Sequence, residues 1–156
     1  TTLHPQLGVV SLDDDSFVLA DIPGLIEGAH EGVGIGDRFL GHIERCAALL
    51  HLVDATSEDP VADYRTVRDE LAAYGAGLMD KPQVVALNKV DAVDDGRCDE
   101  VRAALEAETG GEVLVISGAT GKGVREAMFK LAGHVAGRRD SERIPEAAET
   151  EGGWQP

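Results

Sequence analysis

The residues best suited to chemistry stand in three short stretches, each at the downstream end of an apolar run: Asp21-Ile22-Pro23-Gly24, Asn88-Lys89-Val90-Asp91 and Ser117-Gly118-Ala119. The middle stretch is the most specific. A carboxylate only accepts hydrogen bonds, so Asp91 suits a ring edge with two adjacent donors, which guanine presents at N1–H and its 2-amino group. Adenine would meet it with a lone pair. Lys89 can lay its methylene stem over a purine face, and the Asn88 amide can serve both N7 and neighbouring loops. Backbone N–H groups of Ser117, Gly118 and Ala119 could donate to guanine O6 while the Ser117 hydroxyl braces Asp91. In the first stretch the Asp21 carboxylate can hold a water on Mg²⁺, and Gly24 lets a backbone N–H approach a terminal phosphate. Singly, each stretch also reads as an ordinary exit from a strand, because Asp, Asn, Pro and Gly form turns. Their order and shared placement carry the reading of a site for GTP or GDP.

The elements that must position these stretches follow from the apolar pattern. Residues 7–11 and 17–20 read as two antiparallel strands joined by a turn at Asp13-Asp14-Asp15. Residues 49–53, 84–87 and 113–116 are continuous apolar runs, as expected of parallel strands covered on both faces. Helical spacing appears at Phe39, Leu40, Ile43 and Cys46, and at Val61, Tyr64, Val67, Leu71 and Tyr74, where Asp59 would cap and Pro60 open the helix. Val101, Ala104 and Leu105 mark another helix. Val124, Met128, Leu131 and Val135 mark a last one, with Glu126 and Lys130 spaced for an i,i+4 pair. Strands alternating with helices imply an α/β sheet, in which ligands sit beyond the carboxyl ends of the strands. The residues at those ends are Asp21, Asp54, Asn88 and Ser117.

Three longer segments carry a resemblance. Thr1-Thr2-Leu3-His4-Pro5-Gln6-Leu7-Gly8-Val9-Val10, Asp21-Ile22-Pro23-Gly24-Leu25-Ile26-Glu27-Gly28-Ala29 and Gly34-Ile35-Gly36-Asp37-Arg38-Phe39-Leu40 closely resemble the Obg family of ribosome-associated GTPases. The likeness covers roughly residues 1–137, and the ending Trp154-Gln155-Pro156 is similar to some bacterial members. It implies a P-loop NTPase-like G-domain fragment, with a mostly parallel sheet, an antiparallel edge strand and the central first strand missing. It implies that Thr1, Thr2, Leu3 and His4 form the first switch, with Thr2 joining Asp21 at Mg²⁺. Gly24, Gly28, Gly32, Gly34 and Gly36 would let the second switch reorganise on hydrolysis. Leu25 stands where many small GTPases carry a water-orienting Gln, so slow intrinsic turnover is expected. The resemblance also implies association with the large ribosomal subunit, a monomeric intact parent and an amino-terminal glycine-rich domain.

A phosphate-binding loop of the form GxxxxGK[ST] is expected roughly twenty residues before Thr1, and no such motif occurs within the chain. Gly121-Lys122-Gly123 is no substitute, since Gly follows the lysine and Ile116 stands where the first glycine belongs. Gly32-Val33-Gly34-Ile35-Gly36 fails the dinucleotide pattern at Asp37. The expected organisation is a truncated, partial G domain over residues 1–137, which keeps the base contacts but lacks the main phosphate contacts and so should bind nucleotide weakly and be inactive by itself, followed by an acidic, flexible, solvated tail over residues 138–156. The alternative is a non-catalytic interaction module that uses the switch surface without nucleotide.

Composition narrows the classes further. Among the 156 residues, 29 acidic side chains oppose 14 basic ones for a formal charge of -15, which opposes non-specific attraction to nucleic-acid phosphates. Cys46 and Cys98 form neither a CxxC pair nor a zinc spacing, which fits a reduced, cytoplasmic setting. The apolar runs are far shorter than a bilayer span, so no membrane partner is expected.

Overall fold

The computed structural model describes residues 6–21, 44–75 and 77–153, with side chains through Arg139. Strands β1 (Leu7–Leu12) and β2 (Asp15–Ala20) pair antiparallel, with Val9 opposite Val18 and Leu12 opposite Asp15. Asp15 belongs to β2, so the turn is tighter than the three aspartates suggest. Asp13 takes φ 47, a left-handed conformation that a short polar side chain tolerates.

Strands β3 (Leu49–Asp54), β4 (Gln83–Asn88) and β5 (Val113–Val115) form a parallel sheet in the order β3-β4-β5. The continuous apolar run of β4 follows from its central place. Val85 and Leu87 enter one core cluster, while Val84 and Ala86 enter another on the opposite face. Among the described residues β3 is an edge of this sheet, and its Leu52 is 48% exposed, so its run is less fully covered than that of β4. Among the described residues no ladder joins β2 to β3.

Helix α1 (Pro60–Tyr74) opens on Pro60, and the Asp59 side chain accepts from Ala62 N at 3.0 Å, closing one of the orphan donors of the first turn. Helix α2 (Asp95–Thr109) is capped in the same way by Asp94, which accepts from Arg97 N at 2.7 Å. Tyr64, Val101 and Leu105 from these helices pack on Val53, Val85, Leu87 and Val113. On the other face, Ala127 and Leu131 of helix α3 (Val124–Gly153) pack on Ala86 and Leu114 of the sheet and on Leu12 and Phe17 of the hairpin. Arg125 and Arg139 reach Asp13 and Asp15 at 3.0 and 3.2 Å. α3 therefore fastens the hairpin to the parallel sheet.

One local expectation differs from what is seen. Lys130 does not pair with Glu126 but with Glu112, whose Oε1 lies 2.8 Å from Nζ, because the loop before β5 passes within its reach. Helical backbone continues past Gly137 to Gly153. Ala, Glu and Arg dominate that stretch, and all three favour helix. The helical pattern at Phe39, Leu40 and Ile43 lies outside the described residues.

Candidate nucleotide-binding site

The parallel register sets Asp54 opposite Asn88, so β3 and β4 end level with one another. Beyond the strands, backbone bonds stitch the exits together: Ala55 N to Asn88 O at 2.9 Å, Ile116 N to Leu87 O at 2.8 Å and Val90 N to Ile116 O at 3.4 Å. Lys89 turns the chain with φ 64 into a single 3-10 turn, Val90–Ala92. That turn separates its residues by direction. The Val90 side chain is buried in the core with Val53 and Leu87, whereas Lys89 and Asp91 are exposed. Any contact from Val90 to a ligand must come from its backbone.

Asp91 and Asn88 are then fixed from the last loop. Ser117, fully buried, donates from Oγ to Asp91 Oδ1 at 2.7 Å and accepts at Oγ from Thr120 N at 3.1 Å. Gly118 N donates to Asn88 Oδ1 at 3.1 Å. The loop closes on itself through Gly121 N to Ser117 O and Ser117 N to Lys122 O, each 2.8 Å. Gly123 follows with φ 72, where a Cβ would overlap the Val115 carbonyl oxygen, so only glycine permits this approach.

On the other side of the site, Lys89 Nζ donates to Asp54 Oδ2 at 2.8 Å. Asp54 Oδ1 accepts from Thr56 N at 2.8 Å and from Thr56 Oγ1 at 2.6 Å. The bonds from Lys89 and then Thr56 favour the charged carboxylate and hold Asp54 down to about 2. The same pairing raises the Lys89 ammonium above its ordinary value. Sequence reading notes Asp54 only as a strand end and overlooks Thr56 and Thr120. The available signal is the Asp-x-Thr spacing after a strand, which favours a side-chain-to-backbone turn.

Asn88, Lys89, Asp91, Ser117 and Gly118 thus converge, and exposed Ala119 sits in the same turn. Asp21, also exposed, closes the hairpin sheet, its N–H donating to Gln6 O at 3.0 Å. Among the described residues no hydrogen bond links it to the others. Thr1, Thr2, Leu3, His4, Ile22, Pro23 and Gly24 lie outside the described residues, as does Leu25. No group of three or more His, Cys, Asp or Glu among the described residues could cage a metal. No helix among them is long and apolar enough to cross a membrane.

A family model described as 50S ribosome-binding GTPase matches residues 1–89. The GTPase Obg of Zymomonas mobilis is 57% identical over 156 residues, all of this chain and 45% of that protein. The chain belongs to the Obg family of GTPases. The GTPase Obg of Sphingopyxis alaskensis is 56% identical, again across the whole chain and over 44% of its own length. The chain therefore spans less than half the length of these curated relatives. Solved structures agree on the fold. Translation elongation factor SelB from Methanococcus maripaludis, in complex with the GTP analogue GppNHp, aligns at TM-score 0.59 and 16% identity, over 86% of this chain and 28% of that one. A nucleolar GTP-binding protein from Plasmodium falciparum aligns at TM-score 0.51 and 14% identity, over 94% and 77% respectively. The fold is that of a P-loop GTPase, with the parallel three-stranded sheet and the antiparallel pair as parts of the domain.

Proposed function

We propose that residues 1–137 serve as the base-recognising and switch part of a G domain that binds GTP and GDP and, in the full-length protein, hydrolyses GTP to GDP and phosphate. The observation that carries this reading is the pair of braces at the strand ends, Ser117 Oγ to Asp91 Oδ1 and Gly118 N to Asn88 Oδ1. Asp91, held by a buried hydroxyl, faces solvent with acceptor capacity suited to guanine N1–H and the 2-amino group. With Asn88 Oδ1 occupied by Gly118, the NH₂ end of that amide is the part left for an acceptor such as N7. The exposed backbone of residues 118–119 supplies donors for O6, and the Lys89 stem supplies a lid for the purine face.

For the phosphate end, the donor set suits Mg²⁺ better than a caged metal. Mg²⁺ keeps several waters and takes one or two carboxylates together with phosphate oxygens, so a lone exposed carboxylate at the end of β2 is what it needs. Asp21 would hold a metal-bound water and Thr2 would ligate the ion directly. Bound Mg²⁺ supplies charge neutralisation on the phosphates. Water would be the nucleophile, and Leu25 offers it no hydrogen bond, so turnover without an activator is slow. The match to a 50S ribosome-binding GTPase family and the resemblance support work on the large ribosomal subunit, and the free cysteines Cys46 and Cys98 fit a reduced, cytoplasmic setting.

Phosphate release from GTP by the full-length protein tests this reading. It should require Mg²⁺, exclude ATP and fall roughly 10-fold or more in Asp21→Ala. Equal turnover of ATP, or full activity after chelation of Mg²⁺, would contradict it. Residues 1–156 alone should bind a fluorescent guanine nucleotide more weakly than a protein that also carries a GxxxxGK[ST] loop, because that loop makes the main phosphate contacts.

A further inference from the structure

Asp54 ends β3 beside the guanine motif, yet the base-recognition scheme gives it no task. Its surroundings are those of an anchored group. Thr56 holds Oδ1 through both its N–H and its hydroxyl, at 2.8 and 2.6 Å, leaving Oδ2 aimed at Lys89 Nζ, 2.8 Å away. The Ala55 N to Asn88 O bond, 2.9 Å, ties the Asp54 turn to the Asn88 exit, so the two backbones cannot drift apart. Lys89 itself is held at φ 64, a conformation that costs a non-glycine residue of order 1 kcal/mol and that tends to mark functional positions.

An ion pair this exposed, with 57% of the Lys89 side chain and 38% of the Asp54 side chain open to solvent, adds little to stability. What it does fix is a direction. A lysine stem has four rotatable bonds, and pinning its ammonium at one end while the backbone is pinned at the other leaves the methylenes few paths. We propose that Asp54 is a positioning residue of the guanine site, acting through Lys89, and that Thr56 sets the aim of Asp54. The inference rests on the guanine reading above. Asp54 touches no base in this scheme. It lowers the entropy that Lys89 must lose when a purine slides under its stem, so the nucleotide meets a lid already laid. The carboxylate stays charged throughout the neutral range, held low by Lys89 and Thr56, so the arrangement does not switch with pH there.

The test is a double-mutant cycle in the full-length protein, read as dissociation of ribose-labelled GDP. Asp54→Ala should speed release roughly 10-fold, and Asp54→Asn, whose single amide oxygen cannot serve Thr56 and Lys89 together, should lose nearly as much. In a Lys89→Ala background, Asp54→Ala should add nothing further. Because Lys89 covers the purine face and not its edge, Asp54→Ala should weaken GDP and IDP by the same factor. Thr56→Val gives a smaller effect of the same kind, and its melting temperature without nucleotide should match the parent, which keeps the test open if Asp54→Ala fails to fold. Losses that multiply independently in the double variant would overturn the proposal. So would tighter GDP binding in Asp54→Ala, which would make the ion pair a latch that nucleotide must break. Asp91→Asn separates the two levels. If it leaves GDP preferred over XDP, the guanine reading itself falls and takes this inference with it. If preference moves to XDP while the cycle is additive, only the role of Asp54 is lost.

Discussion

His51 lies on β3 with 7% of its surface exposed, its ring stacked on Tyr64 at 4.8 Å between centroids, and its Nδ1 has no hydrogen-bond partner among the described residues. Burial disfavours the charged imidazolium and lowers its pKa from 6.5 to about 4. An unfolded chain takes up a proton near pH 6.5, while the folded chain resists until about pH 4, so the unfolded state binds more protons across that window. Stability should therefore be fully present above about pH 6.5 and fall as the pH drops, by about 3 kcal/mol in total. His51→Phe keeps the stacked ring and removes the titration. Urea unfolding at intervals from pH 4 to 7 should show a flatter dependence in the variant than in the parent. Parallel curves would mean that His51 is not the group responsible, and the carboxylates would have to account for the slope.

At the scale of the elements, the strands were legible because each centres on a short, predominantly apolar run, and the ends shifted by only one or two residues. β4 illustrates why: Val84 to Leu87 serve two core clusters on opposite faces, so no polar residue could interrupt them. The α1 cap was legible as well, since Asp59 and Pro60 act over one turn. What escaped the sequence depends on residues far apart in it. The bond from Lys89 to Asp54 spans 35 positions, and Lys130 chose Glu112 on a neighbouring loop over Glu126 on its own helix. The turn at Gly123 belongs to the same class, since its need for glycine comes from the Val115 carbonyl oxygen overhead. Gly123→Ala meets both a positive φ and that oxygen, and should cost about 2 kcal/mol or more. Denaturant midpoints will measure this. A loss below about 0.5 kcal/mol would show that the loop relaxes easily and does not rigidly hold Ser117 against Asp91.

At the scale of the molecule, the two sheets share no ladder among the described residues and meet through α3, with Leu131 packed in the cluster that holds Leu12 and Phe17 of the hairpin beside Ala86 and Leu114. Leu131→Ala should cost about 2–5 kcal/mol. It should also raise hydrogen exchange in β1 and β2 more than in β4, which keeps its cover from α1 and α2. Uniform loss of protection would instead make the two sheets one cooperative unit. The assembly brings several strand ends level, and in the function proposed above those ends, through Asp91 braced by Ser117, read guanine. Competition between GDP and XDP for the full-length protein and its Asp91→Asn variant tests it most directly. The parent should prefer GDP and the variant XDP, because an amide at this position can donate to the carbonyl that xanthine carries in place of the 2-amino group. An undiminished preference for GDP in Asp91→Asn would remove Asp91 from the base site and contradict the account.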